Sequence, residues 1–279
     1  MIKTIIWIIC IVACLAIIVF FYKEPIMRAG SVKQQPTLMI HGFRGTERSM
    51  ASMIKRFESN GWGTHVQTCI VNYKGTLQWS SAKKAKNGSI PLIHVVFKNN
   101  TASLQQQGEW VAQIAAVTGK HYKTTEINVI AHSMGGLAAL KYITDYSSSA
   151  YPKVEKLVTL GTPAAGLDMK DLVKQYPNAK TDEGTPASID LQAGSSALKD
   201  LHVKFGHLNK YDVYIFSIAG NSEKMRQTKG DGSVTENSAL FLSGFSDKVK
   251  TASFPVSHFD LHESAEVDHA VYEFVSEKK

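Results

Sequence analysis

The segment INVIAHSMGGLAAL, residues 127–140, places a serine between an apolar, β-branched run and an apolar segment typical of a helix. A sharp turn from a buried strand into a helix would push the hydroxyl of Ser133 out at the end of a sheet. The first amide groups of that helix would face any negative charge developing there. Such a turn needs small neighbours, and Ala131 and Gly135 flank the serine. The segment therefore predicts a nucleophile elbow, with an ordinary turn and a capping serine as the alternative.

A serine hydroxyl is a weak nucleophile unless a base activates it. In the hydrolase fold that uses this elbow, an acid and then a histidine follow the serine along the chain. His258 is the candidate base, because it follows the apolar Phe-Pro-Val of a predicted last strand and precedes a closing helical pattern. It would take the proton of Ser133 and return it to the leaving group. His262 is the alternative, whereas His269 falls within the helical pattern and is expected at the surface.

The candidate acid is Asp231, which stands between two glycines downstream of the apolar run YIFSIAG. A Gly-Asp-Gly loop can point the carboxylate back towards the site, where it would hold the tautomer of the imidazole and stabilise the imidazolium. A simple turn aspartate is the alternative interpretation of Asp231. Asp247, Asp260 and Glu236 are rival acids, and none of them stands in so specific a turn.

The tetrahedral intermediate of acyl transfer needs two N–H donors for its oxyanion. One candidate is the amide of Met134, directly after the serine. The other is the amide of Phe43, in the loop after the predicted early strand PTLMIHGF, where Gly42 permits a sharp turn. We expect His41 to fix this loop by hydrogen bonds rather than to take part in catalysis.

The elements that must position these residues follow from the hydrophobic pattern, in which apolar β-branched runs alternate with helical spacing. This alternation predicts a mostly parallel central sheet with helices on both faces, the α/β-hydrolase fold. A loop-rich stretch at 164–210, with helical patterns at 169–176 and 195–205, predicts a small cap or lid. The predicted strands are 36–43, 65–72, 91–100, 126–133, 154–163 and 212–220, with a small hairpin at 73–89, and the predicted helices are 49–63, 103–120, 135–146 and 265–277.

Residues 5–22 form an unbroken apolar run that is long enough to span a bilayer. We therefore predict a signal anchor at 1–22, a linker at 23–35 and the hydrolase domain at 36–279. A cleaved signal peptide and a lipoprotein signal with Cys14 as the lipid-bearing residue are the alternatives. The basic residues that follow the run favour a cytoplasmic domain, but the N-terminal position of the segment favours export. We expect a domain anchored to the cell membrane on its outer side.

The composition excludes several classes of protein. The chain has three cysteines, two of them inside the apolar run, so neither a disulfide framework nor a cysteine cluster for zinc is expected. The formal net charge is +7, but the lysines are scattered, which argues against a nucleic-acid partner. We expect no metal or organic cofactor. The expected partners are a small-molecule or lipid ester and the membrane, and the oligomeric state stays open.

Several of these segments, taken in order, resemble a family of cell-surface α/β hydrolases of Gram-positive bacteria that has long been labelled a domain of unknown function. The resemblance covers roughly residues 34–277 and rests on PTLMIHGFRG, PLIHVVFKNN, NVIAHSMGGLAALKY, LVTLGTPAAG, GDGSV and SHFDLHESAEVDHAVYEFV. It implies lipase- or esterase-like chemistry, but it identifies no substrate. By this resemblance the triad positions are Ser133, Asp231 and His258, and the oxyanion positions are Phe43 and Met134. Ala131 departs from the glycine that the family usually has there.

The sequence thus predicts a serine hydrolase that cleaves carboxylic esters through an acyl-enzyme intermediate. Acyl transfer to another alcohol and amide hydrolysis are alternatives, because the same triad supports them. A non-catalytic binding protein of the cell envelope, built on a hydrolase fold, is a third possibility.

Overall fold

The computed structural model describes residues 35–146, 148, 150–168, 184–222 and 229–277. The predicted anchor at 1–22, nearly all of the linker and the helical pattern at 169–176 lie outside these ranges. Within the described residues, no helix combines the length and the apolar character that crossing a membrane requires.

The centre of the domain is an eight-stranded sheet with the strand order β3-β2-β4-β1-β5-β6-β7-β8. All neighbouring strands are parallel except β2 and β3, which pair antiparallel around Gly75. Of the hairpin predicted at 73–89, only Leu77–Trp79 is a strand, and it pairs with the end of β2. The strands are β1 (Thr37–Ile40), β2 (Gly63–Val71), β3 (Leu77–Trp79), β4 (Ile90–Phe97), β5 (Glu126–His132), β6 (Lys153–Leu160), β7 (Tyr214–Gly220) and β8 (Val249–Phe254).

Helices cover both faces of this sheet, as the alternating pattern predicts, so the predicted α/β-hydrolase fold is confirmed. The described part of the chain also contains 3₁₀ turns at Leu208–Tyr211, Phe241–Gly244 and Asp260–His262. The helices are α1 (Ala51–Ser59), α2 (Leu104–Tyr122), α3 (Met134–Asp145), α4 (Pro186–Asp190), α5 (Ser196–Phe205), α6 (Glu236–Ala239) and α7 (Ala265–Ser276).

The two faces of the sheet bury separate apolar clusters, because successive side chains of a strand point to opposite sides. In the fully buried β1, Leu38 and Ile40 join the cluster that includes α2 and α3. Met39, between them, joins the cluster that includes α1 and α7. The inner strands are therefore apolar on both faces, which explains their nearly continuous apolar runs.

The described part of the predicted cap contains the short helices α4 and α5. An ionic network joins α5 to α3: Lys204 Nζ lies 2.7 Å from Asp145 and 2.6 Å from Asp200, and Lys141 Nζ lies 2.8 Å from Asp145. The α4 end of the segment contacts α2, since the amide of Leu104 donates to Asp190 at 2.7 Å. This segment thus packs on the helices behind the elbow, and its action as a lid stays a prediction.

A buried histidine in β4 makes the stability of the fold sensitive to pH. His94 is 3% exposed, and its Nε2 has no hydrogen-bond partner among the described residues. The pKa of His94 is lowered from 6.5 to about 4, chiefly because the ring is buried and to a lesser extent because His65 and His41 lie nearby. Between these two pH values the unfolded chain binds the proton more strongly than the native one, so the free energy of unfolding falls as the pH falls.

We expect His94→Leu to flatten this dependence, since leucine fills a similar space without a titrating group. Each pH unit between about 6.5 and 4 should cost the wild type up to about 1.4 kcal/mol more than the variant. Urea unfolding of both proteins at pH 7, 6 and 5 measures the difference. Equal slopes in the two proteins would show that His94 does not contribute.

Candidate active site

Ser133 stands at the junction of β5 and α3 in a strained backbone conformation, with φ 52° and ψ −126°. Residues other than glycine adopt such a conformation only where the surrounding structure enforces it. Here the Ser133 amide donates to the carbonyl of Leu160 at 2.8 Å, and Thr162 Oγ1 donates to the Ser133 carbonyl at 3.0 Å. Its side chain makes no capping hydrogen bond to α3, so the alternative of a capping serine is wrong.

Close packing around the serine explains why glycines follow it. A Cβ atom on Gly135 would lie 2.5 Å from the carbonyl oxygen of His41, and one on Gly136 would lie 2.0 Å from Thr162 Oγ1. The elbow is therefore pressed against the end of β1 on one side and the end of β6 on the other. Ala131, fully buried in β5, is accommodated where the usual pattern has glycine.

Asp231 and His258, which lie 27 residues apart, form a buried hydrogen-bonded pair. His258 Nδ1 lies 2.7 Å from Asp231 Oδ2, while Asp231 Oδ1 accepts hydrogen bonds from the amides of Ser233 at 2.9 Å and Val234 at 2.7 Å. An ionised carboxylate can only accept, so the proton of the neutral imidazole sits on Nδ1. Nε2 of His258 is then left as the acceptor, which is the state that a general base needs.

The end of β6 links this pair to the elbow. Leu160, which binds the amide of Ser133, is followed by Gly161. A Cβ atom on Gly161 would lie 2.9 Å from Asp231 Oδ2 and 3.0 Å from His258 Nδ1. The structure thus brings Ser133, Asp231 and His258 to one edge of the sheet, around two consecutive residues of β6 and its loop.

The rival acids have other surroundings. Asp247 is exposed, and the exposed Asp260 accepts a hydrogen bond from Ser257 Oγ at 2.5 Å. Glu236 is the first residue of α6. Among the described residues, Asp231 is the carboxylate that binds the His258 ring.

Of the rival histidines, His262 lies beside the site, with its ring 4.7 Å from that of His132, but it has another partner. His262 Nδ1 pairs with Glu263 Oε1 at 3.0 Å. The side chain of His269 is 62% exposed on α7, as the helical pattern predicts.

The predicted oxyanion loop lies against the serine. A Cβ atom on Gly42 would lie 2.6 Å from Ser133 Cβ and 3.2 Å from its Oγ. The loop is held by the amide of Arg44, which donates to Asn100 at 3.0 Å, and by that of Gly45, which donates to Gly42 at 2.9 Å. The amides of Phe43 and Met134 donate to no other described residue, so both N–H groups are available to an oxyanion.

His41 makes the hydrogen bonds that were predicted for it. Its Nδ1 donates to the carbonyl of Gly42 at 2.8 Å, and its Nε2 accepts from the amide of Phe97 at 2.9 Å. Burial lowers the pKa of His41 to about 4, with the Gly42 bond opposing the shift. A second proton would also break the bond from Phe97, so the ring stays neutral and ties the loop to β4.

Sequence reasoning missed Thr162, whose hydroxyl holds the carbonyl of Ser133. Its position in the Leu-Gly-Thr-Pro segment, directly after a predicted strand, was the available signal. The described residues contain no group of three or more histidine, cysteine or acidic side chains arranged to hold a metal ion.

Solved structures share this fold over most of the chain. The gene lin2722 product from Listeria innocua is 23% identical, with a TM-score of 0.70 over 88% of this chain and 95% of that one. Mature lipase BlEst2 from Bacillus licheniformis is 17% identical, with a TM-score of 0.61 over 91% and 96% of the two chains. A "putative cell surface hydrolase" from Lactobacillus plantarum is 17% identical, with a TM-score of 0.60 over 88% and 90%.

These identities are low enough that the likeness concerns the fold alone. No curated protein matches the sequence significantly. A family model described as "Alpha/beta hydrolase of unknown function (DUF915)" matches residues 24–278, nearly the whole chain. The chain therefore belongs to this family of alpha/beta hydrolases of unknown function.

Proposed function

We propose that the protein is a serine hydrolase that cleaves carboxylic esters, with Ser133 as nucleophile, His258 as general base and Asp231 as the residue that orients the base. The observation that carries this proposal is the buried Asp231–His258 pair, 2.7 Å between Oδ2 and Nδ1, beside a strained serine at a strand–helix turn. The fold shared with a bacterial lipase supports the same chemistry.

Acylation begins when Ser133 Oγ attacks the acyl carbon and its proton passes to His258 Nε2. The imidazolium is stabilised by Asp231, whose other oxygen is held by two backbone amides. The carbonyl oxygen becomes an oxyanion, for which the amides of Phe43 and Met134 are the candidate donors. Collapse of the intermediate expels the alcohol, which takes the proton from His258.

Deacylation repeats these steps with water in place of the serine. His258 removes a proton from the water, the hydroxide attacks the acyl carbon, and Ser133 leaves with the proton returned by the imidazolium. An acceptor alcohol in place of water would give acyl transfer, and an amine leaving group would make the enzyme an amidase.

Replacing Ser133 tests the proposed nucleophile directly. Wild-type protein should react with a fluorophosphonate probe and hydrolyse p-nitrophenyl esters, whereas Ser133→Ala should do neither, because the attacking oxygen is gone. Ser243→Ala, at an exposed serine, is the matched control and should label like the wild type. Labelling is read by gel fluorescence and turnover by absorbance. Label that persists in Ser133→Ala would exclude this nucleophile.

A substrate panel then separates the related reactions. Turnover of graded p-nitrophenyl esters, with no turnover of the matching anilides, supports the ester reaction and reports the preferred chain length. Anilide cleavage without ester cleavage would favour an amidase. Faster product release with added alcohol, together with formation of a new ester, would favour acyl transfer. Absence of both label and turnover would favour a binding protein.

The acid is tested by paired substitutions. Asp231→Asn should lower kcat by about 10⁴-fold, because the amide no longer holds the reactive tautomer of His258. Asp260→Asn, at the exposed rival, should keep most of the activity. Steady-state kinetics with a short-chain ester measure both effects. A large loss in Asp260→Asn with little loss in Asp231→Asn would reverse the assignment.

We also propose that the domain is anchored to the outer side of the cell membrane. The apolar run at 5–22 and the name of the Lactobacillus plantarum structure support this location. Protease treatment of intact cells should remove the domain from the membrane fraction, and a cytoplasmic marker protein should survive. A domain that is degraded only after lysis would lie inside the cell.

A further inference from the structure

His132 is the last residue of β5 and directly precedes Ser133. Its side chain is buried, with 5% of the residue exposed. It lies against the loop at 255–264, between β8 and α7, which carries the proposed base His258. The centroid of its ring is 4.5 Å from that of His258 and 4.7 Å from that of His262. The acyl-transfer steps assign no task to this ring.

One hydrogen bond ties the ring to the backbone of His258. His132 Nε2 lies 2.9 Å from the carbonyl oxygen of His258. Because a carbonyl only accepts hydrogen bonds, the neutral ring must carry its proton on Nε2. The amide of His258 donates in turn to the carbonyl of Asp231 at 2.8 Å. The N–H and the C=O of His258 are thus both held in place.

We propose that His132 is a positioning residue that fixes the distance between the nucleophile and the base. This inference rests on the proposed function of Ser133 and His258. His132 is covalently joined to the first and hydrogen-bonded to the backbone of the second. The elbow therefore carries the serine and at the same time holds the loop of the base.

Burial keeps the His132 ring neutral. The pKa of His132 is lowered well below its usual value, chiefly because the ring is buried and to a lesser extent because the rings of His258 and His262 lie nearby. The ring therefore remains neutral when His258 becomes an imidazolium during acylation, and no second positive charge arises 4.5 Å away. A lysine or arginine at this position would donate a hydrogen bond but would oppose that charge.

A second anchor holds the far end of the same loop. Arg56 of α1 donates through Nη2 to the carbonyl of His262 at 2.8 Å, and its guanidinium pairs with the buried Asp268 of α7. Glu263 lies 3.6 Å from Arg56 Nη1. With its far end fixed by α1 and α7, the loop is held near His258 by the bonds to Asp231 and by the bond from His132, and the His132 bond comes directly from the elbow.

Loss of the His132 donor should affect the chemical step rather than substrate binding. Proton transfer requires Ser133 Oγ and His258 Nε2 at hydrogen-bond distance, and a displacement of about 1 Å can cost about 100-fold in rate. The side chain of His132 is buried and bonded to the carbonyl of His258, so a change at this ring acts on a substrate through His258 and not by direct contact. The change should therefore appear in kcat and leave KM nearly unchanged.

The test compares His132→Leu, which removes the donor, with His132→Gln, whose amide nitrogen can reach the place of Nε2. His132→Leu should lower kcat and the rate of fluorophosphonate labelling by about 10- to 100-fold, while His132→Gln restores most of both. His269→Gln on the surface is the matched control. Wild-type rates in His132→Leu, or equal losses in the leucine and glutamine variants, would overturn the inference.

Two further measurements separate positioning from folding. In a His258→Ala background, His132→Leu should cause no additional loss, because the imidazole that the bond positions is absent even though the carbonyl of residue 258 remains; a further loss would contradict the inference. ¹⁵N NMR of the wild type should show the Nε2–H tautomer for His132, and an Nδ1–H tautomer would overturn the inference even if the variants do not fold. A wild type without label or turnover would instead refute the proposed function.

Discussion

The hydrogen bond between Asp231 and His258 is the contact on which the candidate site depends. Both residues are buried, so neither polar group can exchange its partner for water without cost. The bond selects one tautomer of the imidazole and leaves Nε2 free to accept a proton. Two backbone amides hold the second carboxylate oxygen, so the direction of the acid is set by the Gly-Asp-Gly turn itself.

The site also requires very close approach of backbone segments at the carboxyl edge of the sheet. The elbow lies between the ends of β1 and β6, and the glycines at 42, 135, 136 and 161 leave no room for a Cβ atom there. Parallel strands direct their carboxyl ends to one edge, which is where ligands bind in such folds. Tight packing at this edge supports the strained φ of Ser133, since relaxation would have to move two strands.

Histidines outside the proposed triad connect these parts. His41 ties the loop beside the serine to β4, and His132 ties the elbow to the loop of the base. Burial keeps both rings neutral, so each has one donor and one acceptor nitrogen with a defined direction. Neutral imidazoles can therefore fix loop geometry without adding charge next to the proposed base, which would become positive during acyl transfer.

The sequence by itself determined the order of strands and helices, the parallel sheet and the position of the elbow. These features follow from local properties, namely the period of apolar residues and the conformational needs of glycine. Only the tertiary structure decided which carboxylate meets His258, and that His132 binds its carbonyl. Those partners are 27 and 126 residues apart, and contacts over such separations depend on how the sheet brings strand ends together. The local pattern of residue types does not specify which side chains meet across such sequence separations.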